Sequence, residues 1–124
     1  MVSLKSLVAE LYLVNFLWRN LKMQTQTKSL NQIAQEIDDH IGKCGGGYHN
    51  WYVGIASDPC ARLFNDHNVD ENNGYWIYHD CGSDTSARKV EEHFINKGCK
   101  GGTGGGDNTT RFVYAYKISR NTRE

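Results

Sequence analysis

Paired cysteines are missing from this chain. Its four, Cys44, Cys60, Cys81 and Cys99, form no CxxC pair and no zinc-finger spacing. That removes the sequence mark of a structural zinc site. A zinc site assembled in space from His79, Cys81, Cys99, Cys60, His67 and His93 stays open. Nothing marks the chain for secretion, so the cysteines read as reduced thiols of a cytoplasmic protein. Net charge is missing too: 14 Lys and Arg balance 14 Asp and Glu, which argues against a dedicated tight DNA binder. No apolar run reaches the ~20 residues of a membrane span. The apolar stretch 4–21 is shorter and is interrupted by Glu10, with no small-residue cleavage site after it, so it matches neither a span nor a signal peptide. A phosphate-binding P-loop is absent as well. The glycine run Gly101–Gly106 leads into Asp107-Asn108, where a P-loop needs Gly-Lys-Ser/Thr opening a helix.

What is present is an ordinary globular composition, 39% hydrophobic and 23% charged over 124 residues, enough for one core. The charge is unevenly spread. Residues 29–87 carry nine acids and two bases, and residues 88–124 carry eight bases and four acids. A basic final third permits local phosphate contact without global attraction.

Leu4, Leu7, Val8, Leu11, Val14, Trp18 and Leu21 recur at helical spacing. They predict an N-terminal apolar helix that packs on a core, builds a homodimer or recruits a partner protein. The polar run 24–28 then reads as a linker, with Met23 an alternative natural start, so that 1–28 is an extension and 29–124 a single domain. Ser29 with Gln32 makes a capping box for a helix whose apolar stripe is Leu30, Ile33, Ala34, Ile37 and Ile41, ended by Gly42. Trp51–Ile55 reads as a buried strand, and Asp58 followed by the sole proline, Pro59, starts a short helix to about Asn65. Tyr75–Tyr78 is a second strand. Asp84 caps a helix from Thr85 to Lys97 ended by Gly98. Thr109–Ile118 alternates as a last strand, with Phe112, Tyr114 and Tyr116 on one side and Val113 and Ala115 on the other. The whole is α+β: a small, mainly antiparallel three-stranded sheet flanked by helices.

Tyr52-Val53-Gly54 on the first strand, with Arg62 ten residues after the tyrosine, resembles the GIY-YIG nuclease family. The likeness spans about residues 48–110. It extends to His67, one residue later than the family's commonest histidine spacing. It extends also to Val90-Glu91-Glu92-His93-Phe94-Ile95, similar to the helix bearing the family's metal-binding glutamate, and to Asn108 as the late asparagine. The resemblance implies a metal-dependent endonuclease acting on DNA phosphodiester bonds. Tyr52, Arg62, His67 and Glu91 would be catalytic. Gly54, Lys89 and Asn108 would contact substrate, and Mg2+ or Mn2+ would sit on Glu91, with Glu92 as the alternative. The first motif, a Gly-Ile-Tyr strand, is not found. Asp39–Lys43 stands in its place, and Tyr48 lies too close to Tyr52. Residues 111–118 are a candidate replacement strand. The alternative is a catalytically inactive module on the same scaffold, binding nucleic acid or protein. Arg62, Arg88, Lys89, Lys97, Lys100 and Arg111 are its available bases, and Tyr75 and Trp76 its stacking surfaces.

Each residue also has a plain structural use. Tyr52 can pack on a sheet, and Arg62 can pair with Asp58 or Asp66 at i±4. His67 can sit at a helix end, and Glu91 and Glu92 can face solvent.

Overall fold

The computed structural model describes residues 28–102 and 106–124. The expected N-terminal helix and most of the polar linker lie outside those residues.

Helix α1 spans Leu30–Cys44. The Ser29 hydroxyl accepts from the Gln32 backbone N–H at 3.2 Å, satisfying one free donor of the first turn. Ile33, Ile37 and Ile41 form the buried stripe. The helix runs past Gly42, where it was expected to end. The stop falls at Gly45, whose N–H bonds the Ile41 carbonyl at 2.8 Å and whose φ of 77° suits glycine.

Strand β1 is Trp51–Ala56. Asp58 Oδ1 accepts from Ala61 N at 3.1 Å, the capping role read from the sequence. The helix that follows is π-helical over Ala61–Asp66, with His67 N bonded to Arg62 O at 2.9 Å. Strand β2 is Trp76–Asp80. Helix α2 is Asp84–Lys97, and its N-cap is Ser83 rather than Asp84: Ser83 Oγ accepts from Ser86 N at 3.1 Å. Asp84 instead places its charge in the first turn, where the helix dipole favours it. Strand β3 is Phe112–Lys117.

The sheet is antiparallel in the order β1-β3-β2, so the last strand inserts between the first two. Its alternation therefore has to serve two buried faces. Val113 and Ala115 point to α1 and α2, where Ile33, Ile37, Trp51, Val53, Val90 and Phe94 complete the main core. Tyr114 and Tyr116 point the other way, into a second cluster with Ala56, Leu63 and Val69, flanked by Tyr52, Phe64 and Trp76. The register aligns Tyr52 with Tyr116 and Trp76, and Gly54 with Tyr114 and Tyr78. Lys97 to Asp38 at 2.9 Å and the Tyr48 hydroxyl to Asp38 at 2.7 Å tie the two helices to the loop before β1. No helix among the described residues is long and apolar enough to cross a membrane.

Candidate active site

The second cluster is not an ordinary apolar core. It gathers three phenols, an imidazole and a guanidinium. Tyr52 stacks on Tyr116 with centroids 5.2 Å apart and lies 4.7 Å from the His67 ring. His67 is 3% exposed, yet both of its nitrogens are satisfied. Nε2 is 2.8 Å from the Tyr114 hydroxyl, and Nδ1 is 2.6 Å from the Arg123 carbonyl and 3.0 Å from the Tyr116 hydroxyl. Arg62, on the π-helical segment, pairs with Asp66 at 2.9 Å and stands close enough to Tyr114 for its charge to act on that phenol. Its side chain is still 46% exposed, so the cationic end faces solvent.

Gly54 makes this packing possible. A Cβ there would lie 2.5 Å from the Tyr114 oxygen and 2.6 Å from the carbon bearing it. The small residue in Tyr52-Val53-Gly54 thus lets a tyrosine from the neighbouring strand lie flat on the backbone of β1.

Burial sets the protonation states. The His67 pKa is lowered, chiefly by burial and further by the nearby Arg62 charge, against a pull upward from the Arg123 carbonyl. Tyr114 is pushed up to about 12, mainly by burial, with Arg62 pulling it back and the Glu91 charge adding to the rise. Tyr116 is pushed higher still by burial and its tyrosine neighbours. At neutral pH the cluster therefore holds neutral phenols and a neutral imidazole beside one fixed cation. For Arg62, burial opposes the charge, but Tyr114 and Asp66 outweigh it and hold the guanidinium above its ordinary value.

Glu91 lies on the α2 stripe shared with Ala87 and Phe94 and is 7% exposed. Burial raises its pKa, with Arg88 pulling the other way. Glu92 beside it is exposed. Of the two acids, only Glu91 faces the sheet and is felt at Tyr114. A cleft of about 430 Å³ opens beside Arg62, lined also by Ser57, Asp58, Ala61, Gly106 and Thr110. Tyr52 and Glu91 do not line it; Tyr52 meets the site through ring contacts with Tyr114 and Tyr116, and Glu91 acts on Tyr114 only through its charge.

Comparison with known proteins returned nothing. No protein-family model, no curated protein and no solved structure matches this chain.

The remaining sequence candidates fall elsewhere. Lys89 borders a groove of about 160 Å³ with Leu30, Ala34 and His93, between α1 and α2. Asn108 is exposed on the turn after the glycine run, whose Asp107 and Thr110 bond each other instead. Of the candidate stacking residues, Tyr75 is 50% exposed, and Trp76 packs edge-on against Phe64. The zinc set does not assemble: among the described residues no three His, Cys, Asp or Glu side chains are placed to hold a metal. Glu91 stands apart from any such group, buried and off the wall of the cleft.

Tyr114 and Tyr116 are the residues that sequence reasoning did not name as site residues. Their shared side of β3 was visible in the alternation. Their meeting with Tyr52 and His67 required knowing that β3 is the central strand.

Proposed function

We propose that this domain is a divergent GIY-YIG-like, metal-dependent endonuclease that hydrolyses phosphodiester bonds in DNA, with the missing first-motif tyrosine supplied by Tyr114 of β3. One observation carries the reading: the Tyr114 hydroxyl lies 2.8 Å from His67 Nε2 and against Gly54 of the strand that carries Tyr52, within the influence of the Arg62 charge.

Phosphodiester hydrolysis needs an oriented water, neutralisation of phosphate charge and help for the leaving oxygen. Arg62 is half in solvent beside the cleft, and its guanidinium can turn from Asp66 to a phosphate oxygen in a bidentate grip. Tyr114 has a neutral imidazole nitrogen on one side and a cation on the other. Buried and off the cleft wall, it can hold His67 and Arg62 in place while Arg62 alone of the three faces the cleft. Tyr52 backs His67 and Tyr116 through ring contacts. Glu91 would hold the divalent ion, which when bound supplies Lewis-acid stabilisation of the phosphate.

The test is incubation with supercoiled plasmid and Mg2+ or Mn2+, for the parent chain and for Arg62→Ala, Glu91→Gln and Tyr114→Phe. Cleavage that is lost on chelation and in all three variants supports the nuclease. The balanced charge and the Arg62–Asp66 pair favour, as the second reading, an inactive module that binds nucleic acid or protein. Salt-sensitive DNA binding without cleavage in any metal would select it.

A further inference from the structure

The chain's last residues close on the site. Arg123 N donates to the His67 carbonyl at 2.7 Å, Asn68 Nδ2 donates to Asn121 O at 2.9 Å, and Lys100 Nζ meets Glu124 Oε1 at 3.5 Å. In return His67 Nδ1 sits 2.6 Å from the Arg123 carbonyl oxygen. The Tyr116 hydroxyl donates to that same oxygen at 3.1 Å.

A carbonyl has no proton to give. At 2.6 Å an unprotonated Nδ1 would set two lone pairs against each other, so Nδ1 must carry the hydrogen. In a neutral imidazole Nε2 is then bare and accepts from the Tyr114 hydroxyl. The remaining lone pairs of that phenol oxygen are thereby left facing Arg62. The Tyr116 hydroxyl, 3.0 Å from Nδ1, then gives its own hydrogen to the carbonyl, so one backbone oxygen orders both neighbours.

We infer that the C-terminal segment 119–124 is a positioning element: the Arg123 carbonyl locks His67 in its Nδ1–H tautomer and so aims the Tyr114 hydroxyl at Nε2. The inference deepens the proposed nuclease reading in its consequences for rate, while the tautomer itself is a property of the folded chain with or without cleavage.

The test is nitrogen-15 NMR of the His67 ring at pH 7.5 in the full chain. The expected result is a protonated, pyrrole-type Nδ1 and a pyridine-type Nε2. Tyr116→Phe removes a hydroxyl but keeps the carbonyl, and should leave this pattern unchanged. A chain ending at Arg120, confirmed as folded by circular dichroism, should lose it and show Nε2 protonated or an exchanging mixture. If the parent is active, the shortened chain should also lose roughly tenfold or more in kcat with little change in KM. An Nε2–H tautomer in the full chain, or an unaltered tautomer in the folded shortened chain, overturns the inference. An Nδ1–H parent that loses the pattern on shortening but cleaves nothing upholds it and counts against the nuclease reading alone.

Discussion

At the scale of single residues, Gly54 and Glu91 act on stability in opposite directions. Gly54 is legible in the sequence as a motif letter, but its reason is a tyrosine sixty residues later, which no local pattern could reveal. Gly54→Ala places a methyl inside the Tyr114 ring contact. The ring sits on backbone and is 1% exposed, so it has little room to yield. The expected loss is about 1–3 kcal/mol, the range for overpacking a tight core, measured by urea denaturation. Glu91 works in the opposite direction. Burial holds its pKa above the ordinary value, so the folded state prefers the neutral acid. The stability it contributes is complete below its unfolded value and lost as pH rises through the folded one. Glu91→Gln stays neutral, keeps that contribution at pH 7.5, and should raise stability, read as a higher Tm than the parent's. The same change should abolish plasmid cleavage. A variant that is more stable and inactive separates a functional carboxylate from a structural one; a less stable variant would mean that Glu91 serves the core.

At the scale of elements, the sequence revealed helices and strands well because caps and periodicity are local. Ser29, Asp58 and Gly98 act as read. The misplacements are small and have local causes. Gly42 can continue a helix, and three glycines with positive φ stop it at 45–47 instead. Ser83 outcompetes Asp84 as cap. The π-helical geometry of residues 61–66 was not legible in the sequence. A π-turn is what an α-turn becomes when it takes in one extra residue, and here the wider turn leads into His67, whose Nε2 lies 2.8 Å from the Tyr114 hydroxyl. Deleting Asn65, an exposed residue of that segment, should therefore relax it to α-geometry and still deliver the histidine to Tyr114. The expected outcome is a cooperative melt within about 1 kcal/mol of the parent, or ~4–8 °C, with the His67 ring resonances retained. Loss of those resonances in a folded variant would show that the π-turn is tied to something else.

At the scale of the whole molecule, strand order is what the sequence withheld. Three strands in series suggested a sheet, and the two-sided alternation of residues 112–117 fits either an edge or a centre. Only the pairing with both β1 and β2 decides it, and that long-range choice brings Tyr114 and Tyr116 to the site. The same compactness buries His67 and half-buries His40 and His79 in different places, and their titration sums over the molecule. His40, His67 and His79 all have lowered pKa values, with burial the largest cause at each. His79 Nε2 lies 3.2 Å from Glu36 Oε2, but it makes no hydrogen bond there, so the acid only partly offsets the burial. A lowered histidine pKa means that the folded state binds its proton less readily than the unfolded chain. The stability these residues contribute is full above the unfolded value of ~6.5 and is lost as pH falls from there through the folded values. Glu91 runs the other way, gaining stability as pH falls through its raised value, but it is one group against three. Urea melts at pH 7.5, 6.5 and 5.5 should therefore show stability falling on acidification, most of it over the lower interval, where the unfolded chain takes up protons that the folded state binds less readily. His79→Gln should flatten the profile without touching the tyrosine cluster, because Gln keeps a polar side chain there and takes up no proton. A profile level between pH 7.5 and 5.5 in the parent chain would show that these imidazoles protonate in place, and that the cluster around His67 is wetter than its packing implies.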